Sequence, residues 1–108
     1  MTNRNAPLFE SLQNGVIDWA ADKLIYKYSN PRAQLLKAFS EMGELADAEA
    51  INDLDGIKDA VGDIVVCLIN YCHLHGLSIP VCLESAYAEI LPRKGRMIEG
   101  GVFVKDAS

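Results

Sequence analysis

The chain is short of positive charge: ten Lys and Arg stand against fifteen Asp and Glu, a formal net charge of −5. A nucleic-acid-binding surface needs Lys and Arg clustered on one face, so the balance argues against such a role. A nucleotide substrate that arrives with its own metal remains compatible. Cysteine is scarce too. Cys67, Cys72 and Cys82 are odd in number, lie among apolar residues and form no C-x-x-C, which points to reduced, core-packing thiols. The longest apolar stretch, Ile64 to Cys72, is interrupted by Asn70 and is far too short to span a bilayer. Met1 to Phe9 carry no apolar h-region, so no signal peptide is expected. The expectation is a soluble, cytoplasmic protein with neither membrane nor nucleic acid as partner.

Familiar catalytic motifs are missing as well. His73 and His75 are two apart, diverge on a helix and have no E-x-x-H beside them, which disfavours a di-iron carboxylate bundle. They read better as helix-end residues near the negative end of the dipole. Gly100-Gly101 is a lone pair in a turn and offers no P-loop. No Ser or Cys nucleophile has a paired base. Repeats and low-complexity tracts are absent, and 108 residues fit a single domain, 1–108.

Acid is abundant, and it is concentrated. Eight of the fifteen carboxylates fall within 23 residues, namely Glu41, Glu44, Asp47, Glu49, Asp53, Asp55, Asp59 and Asp63, with only Lys58 to offset them. Glu41 and Glu44 are three apart, and Asp59 and Asp63 four apart, so each pair shares a helix face. Two short helices can then offer carboxylate pairs to one point, as a hard divalent cation requires. Two such groups about 6 Å apart repel by roughly 3 kcal/mol at an effective dielectric near 20. A converging cluster therefore needs a cation or raised pKa values.

The rest of the pattern is helical. A first helix is expected from about Pro7 to Tyr26, with Gly15 as a break or kink and an apolar stripe through Leu8, Leu12, Val16 and Trp19. Tyr28 to Pro31 is a turn, with Asn30 as N-cap and Pro31 in the first helical position. The second helix then runs to about Ala50. A turn at Asn52 to Asp55 leads into a third, from about Leu54 to His75, stopped by Gly76. Because Ile64 to Ile69 are apolar all round, that helix should be buried on every side, which a chain this small achieves through a subunit interface. Ser78 caps a fourth helix, ending near Leu91. Met97-Ile98 and Val102-Phe103-Val104 flank Glu99-Gly100-Gly101 as a short hairpin or extended arm. The expected fold class is all-α, a bundle of about four helices with a C-terminal arm, assembled through the bundle as a homodimer or homotetramer.

On a wheel of 100° per residue, Asp59, Asp63 and Asn70 lie within about 40° of one line on the third helix. Asp63 is unexpected there, since its neighbours are apolar and Asp is a mediocre helix former. Glu41 and Glu44 read either as solvated flank residues or as ligands. Arg93, Lys94 and Arg96 form the only basic cluster, either a helix C-terminus favouring cations or a phosphate clamp. Trp19 reads as core or as a base-stacking surface.

Two segments resemble a known family. Lys37 to Ala48 reads K-A-F-S-E-M-G-E-L-A-D-A, and Ile57 to Leu68 reads I-K-D-A-V-G-D-I-V-V-C-L. They are similar to the MazG-like all-α nucleoside triphosphate pyrophosphohydrolases, whose signature is E-E-x-x-E followed by E-x-x-D on the next helix. The C-terminal S-A-Y-A-E-I, R-K-G-R-M-I and G-V-F-V-K resemble small single-domain members common in phages and prophages. The resemblance spans about Ile17 to Lys105.

It implies a magnesium-dependent enzyme, manganese being the alternative metal, that hydrolyses a nucleoside or deoxynucleoside triphosphate to the monophosphate and pyrophosphate. Glu41, Glu44 and Asp63 match motif acids and are the implied catalytic residues. Ser40 stands where the first Glu is usual and Ala60 where the second motif has its Glu, so Asp59 is the expected replacement. The metal set is then Glu41, Glu44, Asp59 and Asp63. Lys37, Arg93, Lys94 and Arg96 are expected on the phosphates, and Asn70 and Trp19 on sugar or base. Two other roles stay open: a catalytically weak nucleotide-binding or helical interaction protein of the same fold, and a phosphoribosyl-ATP pyrophosphohydrolase of histidine synthesis.

Overall fold

The computed structural model describes residues 8–107; Pro7, the expected start of the first helix, lies outside them. The described chain is mostly helical. Its elements are α1 (Phe9–Asp22), α2 (Ile25–Tyr28), α3 (Pro31–Ala50), α4 (Leu54–Leu74), α5 (Ile79–Ile90), β1 (Gly95–Ile98) and β2 (Val102–Lys105). The expected second, third and fourth helices correspond to α3, α4 and α5.

Local chemistry sets most boundaries. Asn30 Oδ1 accepts the Ala33 N–H at 2.9 Å with Pro31 behind it, which starts α3. At the other end, Asn52 takes a positive φ of 55°, its N–H donates to the Glu49 carbonyl, and the Asp53 N–H donates to that of Ala48. That pair of bonds is a Schellman motif with Asn in the position usually held by Gly. Asp53 begins α4 at once, its Oδ1 accepting the Gly56 N–H at 3.0 Å. A side chain at Gly56 would press on the Asp53 carboxylate and on Ala48, so glycine there lets the two helices close on each other. A second Schellman motif ends α4: Gly76 donates to His73, and Leu77 to Cys72. Ser78 Oγ then accepts the Val81 N–H to open α5.

The break in the first helix falls at Leu24, which adopts left-handed backbone with φ 64°, and not at Gly15. Beyond it, the Tyr26 hydroxyl donates to Asn70 Oδ1 at 2.6 Å and its ring stacks on His73 with centroids 4.2 Å apart. Those contacts with α4 are the tertiary reason for a turn that no glycine marks.

The body of the molecule is the α3–α4 helical hairpin with α1 laid against α4. Its core is small, formed by Ala20, Ala38, Ala48, Ala60, Cys67, Ile69 and Cys72 around Asn70, which is only 2 % exposed. Gln13, also buried, accepts the Ile79 N–H through Oε1 at 3.2 Å and ties α1 to the start of α5. α5 turns away from α4 at 97°. No single helix among the described residues is long and apolar enough to cross a membrane; α4 and α5 reach that composition only as a bent pair. The chain ends in an antiparallel hairpin that pairs Gly95 with Lys105 and Ile98 with Val102, with both turn glycines at positive φ.

Ile64, Val65 and Val66 are half-buried in the single chain, in line with a chain too small to enclose α4 on every side by its own fold. One expectation changes. Cys82 is exposed on α5 and is no core thiol, whereas Cys67 and Cys72 are buried. Burial, with the Cys82 thiol as neighbour, pushes the Cys72 thiol up.

Candidate functional site

The α3–α4 hairpin brings acids from both helices to one groove. Glu44, Asp47, Asp53, Asp59 and Asp63 line an open groove of about 380 Å³, with Ala48, Ile51, Gly56 and Ala60 as its floor and rim. Asp53 is already committed to capping α4. Asp59 and Asp63 face the same groove as Glu44, as the four-residue spacing on α4 requires. Ala60 is buried beneath them, so the position where the family motif has Glu is a packing position in this chain.

Glu41 sits one turn back on α3, half-buried, and its Oε2 is shut off from solvent with no hydrogen-bond partner. A hydrogen bond shared with Glu44 holds its carboxyl above the usual range, helped by burial and by the charges of Glu44 and Asp63, and opposed by Lys37. A carboxylate with an orphaned oxygen, beside two other acids, is a donor set suited to a hard cation. Among the described residues, no three His, Cys, Asp or Glu side chains converge closely enough to hold one ion as they stand.

A second groove opens on the other side of Asp63. It has about 470 Å³ and is lined by Ser11, Leu12, Gly15, Val16, Trp19 and Val66 as well as Asp63 itself. Trp19 is 50 % exposed at this wall, a half-covered aromatic surface that is neither core nor free. Gly15, expected as a kink, instead lies inside α1 and contributes to this wall. Asp63 thus borders an acidic groove and an apolar, aromatic one.

The remaining candidates divide. The Lys37 charge partly opposes the rise at Glu41 and at Cys67, both of which are held above their ordinary values. Asn70 is a different case from the sugar- or base-binding group expected: it is buried, and its Oδ1 is taken by Tyr26. The polar line from Asp59 through Asp63 therefore runs into a structural hydrogen bond. Arg93, Lys94 and Arg96 are exposed at the start of the hairpin, which has at most marginal contact with the helices of its own chain. They are not brought to the acidic groove within one chain. Sequence reasoning missed Gln13 and Ile51, the first because buried polar contacts across 66 residues leave no local signal.

Compared with family models, curated proteins and solved structures, the chain matches none.

Proposed function

We propose that this chain is a magnesium-dependent nucleoside triphosphate pyrophosphohydrolase with a MazG-like helical fold, acting on (d)NTPs in the cytoplasm. The observation that carries the reading is the place of Asp63, between a carboxylate groove and an apolar groove walled by Trp19. A nucleotide has the same two halves, a polyanion that needs cations and a flat base that stacks on an aromatic face. Glu41, Glu44, Asp59 and Asp63 are the oxygen donors for the metal, and their separation from Trp19 by one side chain suits a base held beside its phosphates. Magnesium, or manganese, when bound supplies charge neutralisation and a lowered pKa for the attacking water. Lys37 adds positive charge beside Glu41, and Trp19 orients the base. Water attacks the α-phosphorus, the α–β anhydride bond breaks, and pyrophosphate leaves with its electron pair.

The same reading covers assembly as a homodimer or homotetramer. Leu35, Phe39 and Met42 of α3 line an apolar cleft with Ile64 and Leu68 of α4, and Phe39 is 67 % exposed. The radius of gyration is 16.7 Å, against about 13 Å for a globular chain of this length. Such a shape needs a partner to cover it.

A second reading keeps the fold but not the activity. It is favoured by Ala60 in the motif position and by carboxylates that do not yet converge. Pyrophosphate release from the eight ribo- and deoxynucleoside triphosphates, with and without magnesium, separates the two. Magnesium-dependent release from at least one is expected. Binding without release would leave the weak nucleotide-binding relative as the better description.

A further inference from the structure

The C-terminal hairpin has little to hold it within its own chain. A two-stranded hairpin alone in water is marginal, and this one is apolar on both faces. From its register, Arg96, Ile98, Val102 and Val104 share one face and Met97 and Phe103 the other, all of them exposed. Among the described residues the arm has at most marginal contact with the helices of its own chain. It also carries the chain's only basic cluster, Arg93, Lys94 and Arg96, into solvent.

The complementary surface is present elsewhere in the same molecule. At the α3–α4 turn, Leu54 is 78 % exposed and Ile51, on the rim of the acidic groove, is 73 % exposed. Two large apolar side chains standing beside surplus carboxylates make a seat for a partner that is apolar on one side and basic next to it. The Arg96 face of the arm has that composition, with Ile98, Val102 and Val104 beside the guanidinium.

We infer that the arm of one copy seats on the α3–α4 turn of a second copy, with Ile98, Val102 and Val104 against Ile51 and Leu54, and delivers Arg93, Lys94 and Arg96 to that copy's acidic groove. Each site is then built from two chains. Among the described residues no Lys or Arg lines the groove within one chain, which leaves too little positive charge to hold a triphosphate beyond what one metal ion neutralises. What the delivered cations do rests on the pyrophosphohydrolase reading; where the arm sits does not.

Two measurements test it. In the first, two differently tagged chains, both with Cys82→Ser, carry Arg96→Cys and Asp47→Cys respectively, and are co-expressed and treated with a short bismaleimide. A cross-linked species bearing both tags is expected. Its absence, or a cross-link that forms only when both cysteines are in one chain, overturns the inference, whatever the enzyme assay says. In the second, Asp63→Asn is co-expressed with a chain carrying Arg93→Gln, Lys94→Gln and Arg96→Gln. Each homo-oligomer should lose activity, and the mixture should regain roughly a quarter of the wild-type level, because in a symmetric dimer half the molecules are mixed and each holds one intact site. Activity in the mixture no higher than in either parent overturns a shared site. If the wild type releases no pyrophosphate while the two-tag cross-link still forms, the functional reading fails and the arm contact stands.

Discussion

The α1–α4 body and the C-terminal segment from Val81 onward are built on opposite terms. In the body, α3 and α4 close on each other through small residues, and a buried polar pair, Tyr26 and Asn70, is satisfied inside. From Val81 to Ala107 every residue is exposed, although Val81, Leu83, Tyr87, Met97 and Phe103 are as apolar as anything in the core. The body has its own caps, its own helical hairpin and the Tyr26–Asn70 hydrogen bond to hold its shape. The C-terminal segment has regular hydrogen bonding but no core, and apolar area left in water contributes nothing to its stability. Hence the clustered carboxylates sit on the part with a core, and the cluster Arg93, Lys94 and Arg96 on the part without one.

The sharpest break of that comparison is at the acids. Asp63→Asn should lower pyrophosphate release by two orders of magnitude or more, since on the proposed reading it removes a metal ligand from the acidic groove at the point where that groove meets the apolar one. It should also abolish most of the magnesium-dependent rise in Tm, worth about 2.7 kcal/mol for metal at a hundredfold over its Kd. Equal stabilisation of mutant and wild type by magnesium would remove Asp63 from the ligand set. Asp59→Asn should resemble Glu41→Gln in kcat, whereas Lys58→Gln, on another face of α4, should be nearly silent. A silent Asp59→Asn would leave the site a ligand short.

Next in size is a pH effect confined to the body. In the folded chain Glu41 binds its proton more tightly than an ordinary glutamate, through Glu44, burial and the neighbouring charges. Its ionisation therefore costs stability, a cost absent at low pH and felt in full above its folded pKa. A bound cation must displace that proton, so magnesium stabilisation is present above the raised pKa and lost as pH falls through it. Apparent magnesium affinity should drop roughly tenfold per pH unit below that point. Glu41→Gln, followed by calorimetric titration across pH, should weaken binding and flatten the profile. An unchanged slope in the variant would assign the titration to another group.

Stability itself should divide the regions more modestly. Tyr26→Phe leaves the buried Asn70 oxygen unpaired and should cost about 1–3 kcal/mol in urea unfolding. Ile98→Ala, the loss of a large apolar side chain on the face of the arm that meets the second copy, should change unfolding of the isolated chain by no more than about 0.5 kcal/mol. Measured at concentrations where the chain assembles, the same variant should instead lower the association constant. A large loss of stability in dilute monomer would mean that the arm belongs to the body after all.

Much of the fold was legible because its punctuation is local. Asn30-Pro31, Asp53, Gly76 and Ser78 act through hydrogen bonds to residues within a turn, so their identity is enough to place a helix end. The acidic pairs were legible for the same reason, since helical spacing alone puts Asp59 and Asp63 on one face. Leu24 shows the limit. Leucine carries no preference for left-handed backbone, and the turn there follows from Tyr26 reaching across 44 residues to Asn70. Asn70 itself was misplaced by its spacing, because a polar residue in line with Asp63 can belong to a site or to a buried bond, and only its partner decides which.

By itself, then, the sequence determined the helices, their caps, the hairpin and the clustering of carboxylates on two adjacent faces, all of which depend on interactions a few residues long. Only the tertiary structure decided that Asp63 stands between an acidic and an aromatic groove, that Ala60 is packing and that the basic arm lies away from its own chain's acids. Those outcomes depend on how α1, α3 and α4 pack, and packing is set by contacts between residues far apart in the chain, which periodicity and propensity do not encode.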